Sequence, residues 1–478
     1  MTRTHWIRRL IYHRICNSGV AWRVGQPDSI LPKMMETGRV GFHLEVLKGG
    51  AIEMTDVLRV TRVEPDAITV AALSRLLLSQ SPDDLPALRK TLALPALGLK
   101  ARNAVRQRIN LIEDKQRLQI GRWRGWRSFI VSAVHDEAES IRSFYLRPQD
   151  GQPTAPPAAG QFLTVRLEPE GDVPLIRPWT ISGVDEQANE YRVTIRKTEG
   201  GRASKIMHEG IGPGSRIDLR PPAGQFTLDR SGFRRIAMLS GGIGATPLLA
   251  MLKEYTAMGG YAPSLLWLQV VQNGRTHPFR SEVGALLAGA PRVQRVIWYS
   301  QPDREDVLGR DYDREGRPTA QEVEAIIRPD YAVSPFGKEV LIPGTETEFY
   351  ICGPVGLEAM IKNTLSRLGV RPGLIRSEAF AAADANTLAV VETAIIHFSE
   401  SGISRQWHVD DGMTLLDLAE AAGLEPPFAC RSGVCQSCRC RMVAGQIDYN
   451  PTPTSDPGPE SVLLCCARPA SETLTIAI

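Results

Sequence analysis

Four cysteines near the end of the chain constrain it most. The run Cys430-Arg431-Ser432-Gly433-Val434-Cys435-Gln436-Ser437-Cys438 sets three thiols at C-x₄-C-x₂-C, and Cys465 follows twenty-seven positions after Cys438. Four thiolates at this spacing can hold the two irons of a [2Fe–2S] cluster, with the fourth ligand arriving from a distant strand. Ser432, Gly433 and Ser437 are small enough for a tight loop, and Gly433 can adopt backbone angles that other residues avoid. Zinc competes for any set of four thiols, but it usually takes them as two short C-x₂-C knuckles. A one-electron carrier needs a source of electrons, which the rest of the chain must provide.

The 478 residues suffice for about three or four domains. A formal net charge of +3 gives no electrostatic case for nucleic-acid binding. No apolar run is long enough to span a bilayer, so no membrane role is expected. The start, Met1 to Arg14, lacks the apolar core and small-residue cleavage site of a secretory signal. Eight cysteines, half of them in one cluster motif, argue against a disulfide framework and for a reducing, cytoplasmic setting.

Residues 1–123 begin β-rich and end helical. Gly38 to Leu47 alternates and Lys48-Gly49-Gly50 turns the chain. Val57 to Val63 and Ala67 to Val70 read as strands. Ser81-Pro82-Asp83-Asp84 reads as a helix start, with Ser81 as cap and acids in the first turn. Ala101 to Leu118 reads as a longer charged helix. Gly38-Arg-Val-Gly-Phe-His-Leu-Glu-Val-Leu-Lys-Gly-Gly resembles the latter part of a MOSC domain, a family that can bind molybdenum cofactor, in some members through a Cys. The earlier strands of that family and its Cys region have no counterpart here, and Cys16 reads as a small buried hydrophobe. No molybdenum site is assigned. The Arg/Trp stretch Gly121 to Arg127 reads as a linker whose arginine stems lie over aromatic rings.

From residue 124 to 229, short alternating strands separated by Gly- and Pro-rich turns have the texture of an antiparallel barrel. Two motifs lie in it. Arg177-Pro178-Trp179-Thr180-Ile181-Ser182 offers a ring, a hydroxyl and a cation, which are what a flavin ring and phosphate require. Arg196 opens a second stretch, which ends in Gly201-Arg202-Ala203-Ser204 at a helix start, where backbone N–H groups suit a pyrophosphate.

From residue 230 to 384, strands and helices alternate as in a parallel α/β sheet. A buried strand, Arg235 to Ser240, runs into Gly241-Gly242-Ile243-Gly244-Ala245-Thr246-Pro247. Thr246 reads as the cap of the following helix and Pro247 as its first residue. A later strand ends in Cys352-Gly353-Pro354. Arg275 and Arg280 are candidates for the adenosine ribose or a 2′-phosphate, and the choice between NADH and NADPH stays open.

Together these motifs resemble the ferredoxin–NADP reductase family, over about residues 124 to 478. The resemblance implies flavin contacts from Arg177, Trp179, Thr180, Ser182, Arg196, Gly201, Arg202, Ala203 and Ser204. Trp179 stands where the family usually has Tyr, so any role of a phenol hydroxyl is lost. It implies nicotinamide contacts from Gly241, Gly242, Gly244, Thr246, Pro247, Cys352, Gly353 and Pro354, with Glu378 and Phe380 near the flavin face. Cys352, Thr180 and Glu378 are the residues placed beside the reacting rings. FAD is implied, and FMN stays open because the phthalate dioxygenase reductase group shares this domain order.

Residues 390–478 resemble the β-grasp of plant-type ferredoxins. Cys465 and Cys466 compete for the fourth ligand position, and the resemblance places it at Cys465, giving Cys430, Cys435, Cys438 and Cys465 as metal ligands. Cys440 and Cys466 are bystanders. The expected fold class is therefore multidomain: an antiparallel β-barrel flavin domain, a parallel-sheet α/β nicotinamide domain and a β-grasp ferredoxin domain, after a partial MOSC-like segment with a helical tail. The expected path runs from NAD(P)H to flavin to cluster to an outside acceptor, such as an oxygenase component or a haem protein. An alternative couples the reductase to a MOSC-type molybdenum site acting on N-hydroxylated compounds. A further alternative makes the first segment a docking module. The oligomeric state is not readable.

Overall fold

The computed structural model describes residues 7–12, 42–46, 57, 67–78, 81–94, 97, 99–117, 121, 123, 125–168, 175–230, 234–258, 263–290, 292–327, 330–333, 339–378, 391–429, 431, 433, 435–450, 452–453 and 456–478. They fall into two units: residues 1–119 with 229–233 and 333–340, and the remainder.

In the first unit, β1 (Ile7–Tyr12) pairs antiparallel with β2 (Phe42–Val46). Three helices follow: α1 (Val70–Leu78), α2 (Leu85–Leu92) and α3 (Leu99–Arg117). Leu73, Leu88, Val105, Ile109 and Ile112 form their shared core, at the 3–4-residue spacing that puts one face of each helix inward. Ser81 caps as expected: its Oγ accepts from the Asp83 N–H at 3.3 Å. The strand expected at Ala67 to Val70 is absent; Val70 instead opens α1, where Leu73 and its neighbours pay for helix with burial. Most of the MOSC-like run, the 57–63 strand and Cys16 lie outside the described residues.

The second unit opens with a closed six-stranded barrel of strand order β3-β4-β7-β6-β5-β8. Its strands are β3 (Arg127–Ala138), β4 (Ile141–Pro148), β5 (Phe162–Leu167), β6 (Leu175–Asp185), β7 (Glu190–Arg196) and β8 (Arg216–Leu219). Helix α4 (Arg202–Gly210) lies between β7 and β8, and its Ala203 and Met207 join the barrel core of Phe129, Val131, Phe144, Leu163 and Val193. Closing the sheet removes its open edges, which antiparallel sheets must otherwise protect.

A six-stranded parallel sheet follows, in the order β12-β11-β10-β9-β15-β16. It comprises β9 (Ile236–Gly241), β10 (Leu265–Val271), β11 (Val293–Tyr299), β12 (Arg314–Glu315), β15 (Glu348–Cys352) and β16 (Ile375–Glu378). Helices α5 (Ala245–Ala257), α6 (Arg280–Ala288), α7 (Ala320–Ile326) and α8 (Val355–Arg367) connect them. A separate ladder pairs β13 (Asp330–Val333) with β14 (Glu339–Ile342). Two cores, one on each face, bury β9, β10 and β15 on both sides, which is why these strands read as continuous apolar runs. Strand order reverses beside β9, so the ends of β9 and β15 leave a crevice.

The C-terminal sheet runs β18-β17-β23-β19-β21. It is built from β17 (Thr393–Phe398), β18 (Ile403–His408), β19 (Arg439–Ala444), β21 (Ser461–Leu463) and β23 (Thr473–Ala477), with β20 (Ile447–Tyr449) and β22 (Ala467–Pro469) as a side ladder. Helix α9 (Leu415–Ala421) carries the capping box read from the sequence: Thr414 Oγ1 accepts from the Asp417 N–H at 3.2 Å, and Asp417 accepts from the Thr414 N–H at 3.0 Å.

Side chains join these three parts. Arg192 of β7 reaches Glu282 of α6 at 2.9 Å, and Lys253 of α5 meets the same carboxylate at 2.7 Å. Arg220, following β8, lies over the rings of Trp126 (4.9 Å) and Phe428 (4.4 Å), and Arg431 lies 4.2 Å from the Phe428 centroid. Arg431 is also paired with Asp417 at 3.0 Å and Glu420 at 2.5 Å. Within the linker stretch the Arg127 guanidinium lies over Trp123 at 5.2 Å, while Trp126 receives those of Arg166 and Arg220.

Candidate functional site

The two glycine-bearing loops touch each other. Strands β9 and β15 are parallel neighbours, with Ser240 opposite Cys352. A Cβ on Gly241 would lie 2.5 Å from Pro354 Cδ, and one on Gly353 would lie 2.8 Å from the Gly241 nitrogen. A Cβ on Gly244 would meet the Cys352 carbonyl carbon at 2.5 Å. No residue with a side chain fits at these three positions without moving backbone. Gly242 turns the loop at φ +53°.

This close packing floors a cleft of about 920 Å³ at the strand ends, lined by Gly241, Gly242, Gly244, Gly353 and Pro354. Arg196, the last residue of β7, brings a cation from the barrel to the same cleft. Gln272, Ser300, Gln301 and Arg317 complete its far side. The cradle fits a nicotinamide dinucleotide: glycines admit close backbone approach and a helix N-terminus suits a pyrophosphate.

Thr246 does not cap α5. It lies within the helix, almost wholly buried, and donates from Oγ1 to the Ile243 carbonyl at 3.0 Å. Gly244 holds the cap position, because the tight contact with Cys352 lets the helix begin sooner. Pro247 falls in the first turn, where its missing N–H costs no helical bond.

Arg275 and Arg280 are taken by carboxylates. Arg275 pairs with Asp303 at 2.9 Å and Glu139 at 3.8 Å, and Arg280 pairs with the buried Asp311. The Arg280 and Arg310 guanidiniums, with the Val307 N–H, hold the Asp311 carboxyl far below the usual range.

On the barrel, Trp179 is half-buried, Thr180 nearly buried and Arg177 exposed. Ser182 is a correction. Its hydroxyl is fully buried, 2.7 Å from Thr194 Oγ1, and bonded to the Arg192 carbonyl at 3.2 Å. Thr194 and Arg192 alternate along β7 with the core residues Val193 and Ile195, so the Ser182 hydroxyl is buried on the barrel's outer face and serves that packing. Gly201 caps α4, and Ser204 closes the turn by donating to the Gly201 carbonyl (2.9 Å) and accepting from the Thr198 N–H (3.1 Å). Ala203 is buried and Arg202 exposed on the same first turn.

Cys352 and Glu378 are opposed in register at the ends of β15 and β16. Cys352 is fully buried, and burial pushes its thiol up. Burial, with a smaller contribution from Cys435, pushes the Glu378 carboxyl up to about 8. Its Oε2 has no hydrogen-bond partner among the described residues. A carboxyl oxygen left without a partner at the end of β16 fits a site that a bound group completes. Phe380 lies outside the described residues.

Cys438 directly precedes β19 and Cys465 follows β21; the Leu464 N–H donates to the Cys438 carbonyl at 3.3 Å. The Gly433 N–H points to Cys465 Sγ at 3.4 Å. Gly433 has φ +73°, and a Cβ there would lie 2.9 Å from Cys466 Sγ. Cys435, Cys438 and Cys465 are free thiols, and Cys430 lies outside the described residues. Among the described residues no three metal-binding side chains converge on one point. The donor chemistry nonetheless fits an iron–sulfur cluster: reduced thiols and an amide N–H directed at sulfur. Cys440 is half-buried with its thiol pushed up to about 11 by burial. Cys466 is buried and bonded to the Leu463 carbonyl.

Residues 128–228 match the oxidoreductase FAD-binding domain family, and residues 398–470 match the 2Fe-2S iron-sulfur cluster binding domain family. The chain thus carries segments similar to a flavin-binding domain and a 2Fe-2S domain, in the order that the resemblance implied. A flavohemoprotein of Bordetella pertussis is 31% identical over 264 residues, which is 54% of this chain and 62% of that relative. The chain thus spans less than two thirds of that relative's length. An intact type IV self-sufficient cytochrome P450 monooxygenase superposes with a TM-score of 0.56 at 19% identity, covering 80% of this chain and 42% of the other. Full-length CYP116B46 from Tepidiphilus thermophilus gives 0.53 at 22% identity, covering 75% and 43%. At these identities the two structures speak to fold alone.

Gln272, Ser300, Gln301 and Arg317 were not legible in advance as cleft residues. Only Gly316, a turn residue after a short charged strand, marks in sequence where Arg317 is delivered. Among the described residues, no helix is long and apolar enough to cross a membrane.

Proposed function

We propose that this chain is an NAD(P)H-dependent reductase that passes electrons, by way of its FAD and [2Fe–2S] cluster, to a one-electron acceptor protein such as an oxygenase component or a haem protein. The observation that carries this reading is Glu378. Its carboxylate raises the pKa of the thiol of Cys352, its register partner, and Cys435 raises that of Glu378 in turn. Glu378 thus interacts with both the β15 end and the cluster loop.

Bound FAD supplies the conversion between the two electrons of a hydride and the single electrons of a cluster. The chain's own residues position and tune. Gly241, Gly242, Gly244, Gly353 and Pro354 receive the dinucleotide at the floor of the cleft, and Arg196 adds a cation there. Arg177, Trp179 and Thr180 hold the flavin by charge, ring and hydroxyl, with the α4 start, Gly201 to Ser204, as the phosphate cradle. Cys352, neutral and buried, packs beside the nicotinamide without competing for the hydride. Glu378, its carboxyl pushed up by burial, stands at the site's inner edge. Cys430, Cys435, Cys438 and Cys465 hold the cluster. The six described cysteines are free, which suits a reducing compartment such as the cytoplasm.

An anaerobic visible-absorption titration with NADH and then NADPH tests the proposal. Bleaching of both flavin and cluster bands is the expected result. Bleaching of the flavin band alone would sink the relay, and no bleaching of a cofactor-loaded sample would sink the reductase reading itself.

A further inference from the structure

Among the described residues the cleft is lined by cations and not by acids. Its described lining contains two arginines, Arg196 and Arg317, and no carboxylate. Arg196 stands at the Gly242 end. Arg317 stands at the other, beside Ser300 and Gln301, which follow β11, and Gln272, which follows β10. In doubly wound nucleotide sites, an acid near the end of the second strand bonds the adenosine ribose hydroxyls, and an arginine nearby accommodates a 2′-phosphate instead. Here the second strand, β10, ends at Val271 and is followed by Gln272.

The backbone fixes Arg317 in place. The Gly316 N–H donates to the Tyr299 carbonyl at 2.8 Å, and Gly316 turns the chain at φ +88°. Two residues beyond Arg317, Thr319 caps α7 in a reciprocal bond with Glu322. The Arg317 side chain is exposed, and it makes no hydrogen bond or ion pair among the described residues. Its neighbours differ: Arg275 is neutralised by Asp303, Arg280 by Asp311 and Arg314 by Glu322 at 3.4 Å. A surplus guanidinium with neutral donors around it matches a phosphate monoester, which accepts paired N–H bonds from arginine.

We propose that Arg317, with Gln272, Ser300 and Gln301 as neutral donors, reads the 2′-phosphate and makes the cleft prefer NADPH to NADH. This rests on the reading of the cleft as the dinucleotide site. Arg317 supplies a cation for the added phosphate, and no carboxylate of the described lining repels it.

Calorimetric titration of the full-length, cofactor-loaded protein with 2′,5′-ADP and with 5′-AMP tests it directly. The expected result is at least tenfold tighter binding of 2′,5′-ADP, a preference that Arg317→Ala abolishes, Arg317→Lys partly keeps, and added salt weakens. Equal binding of the two probes by the native protein would overturn the proposal. So would an Arg317→Ala variant that keeps the preference or loses both probes equally. Ferricyanide reduction separates this from the reductase reading. If NADH outperforms NADPH, the reductase reading survives and the Arg317 proposal fails. If neither nucleotide drives reduction while the 2′,5′-ADP preference stands, the reductase reading fails and the proposal holds.

Discussion

Gly244 and Cys352 lie in contact through their backbones: a methyl group on Gly244 would sit 2.5 Å from the Cys352 carbonyl carbon and 2.9 Å from the Gly353 nitrogen. The contact joins the two loops that floor the cleft, so it ties nucleotide binding to the close approach of β9 and β15. Gly244→Ala must push backbone against backbone, which costs about 1–3 kcal/mol. The expected outcome is a lower melting temperature together with a raised KM for NAD(P)H. A variant with native KM would show that the loops separate without consequence.

Phe428 bears on communication between barrel and cluster domain. Arg220 and Arg431 both lie over its ring, and burial lowers the Arg220 pKa. Phe428→Leu keeps most of the apolar volume and removes the π face, at about 1–2 kcal/mol for two partly desolvated contacts. Stopped-flow absorption should show slower bleaching of the cluster band, with the flavin band reduced at its native rate. Equal slowing of both bands would refute a role confined to docking.

Glu282 neutralises two cations from different parts of the fold, Arg192 at 2.9 Å and Lys253 at 2.7 Å. Glu282→Gln leaves both charges facing one another, half-buried. The loss expected is about 1.5–3 kcal/mol, the range for hydrogen bonds to charged groups. Urea unfolding checks it. Because the triad spans β7, α5 and α6, the variant should also uncouple barrel and parallel-sheet unfolding into separate transitions.

Acid should weaken the parallel-sheet domain through His277. Burial, helped by the Arg280 and Arg295 charges and opposed by Asp306, pushes its imidazole down to about 4. Its Nδ1 lies 3.0 Å from the Tyr299 hydroxyl. The unfolded chain binds a proton at this residue near pH 6.5, and the folded chain does not until about 4. The unfolded state therefore holds more protons between those values, and stability falls as pH drops through that window. The shift corresponds to about 3 kcal/mol at most. His277→Gln should flatten the dependence of melting temperature on pH between roughly 4 and 6.5. An unchanged slope would assign the acid lability elsewhere.

The sequence alone determined the parts whose causes are local. The Gly241–Gly244 run and the Cys352-Gly353-Pro354 turn are legible because only glycine tolerates such backbone contact. The cysteine spacing is legible because cluster geometry dictates it. The Thr414–Asp417 capping box closes within one turn and was equally legible. The tertiary structure decided what depends on partners far away in the chain. Arg275 and Arg280 looked available until the fold brought Asp303 and Asp311 to them, across 28 and 31 residues. Ser182 looked like a ligand contact until the fold buried its hydroxyl against Thr194 of β7. Arg317 gave no signal, because being unpaired at a cleft is a property of the whole sheet. Strand periodicity and turn chemistry act over a few residues, whereas charge pairing and burial are settled only when distant strands close on one another.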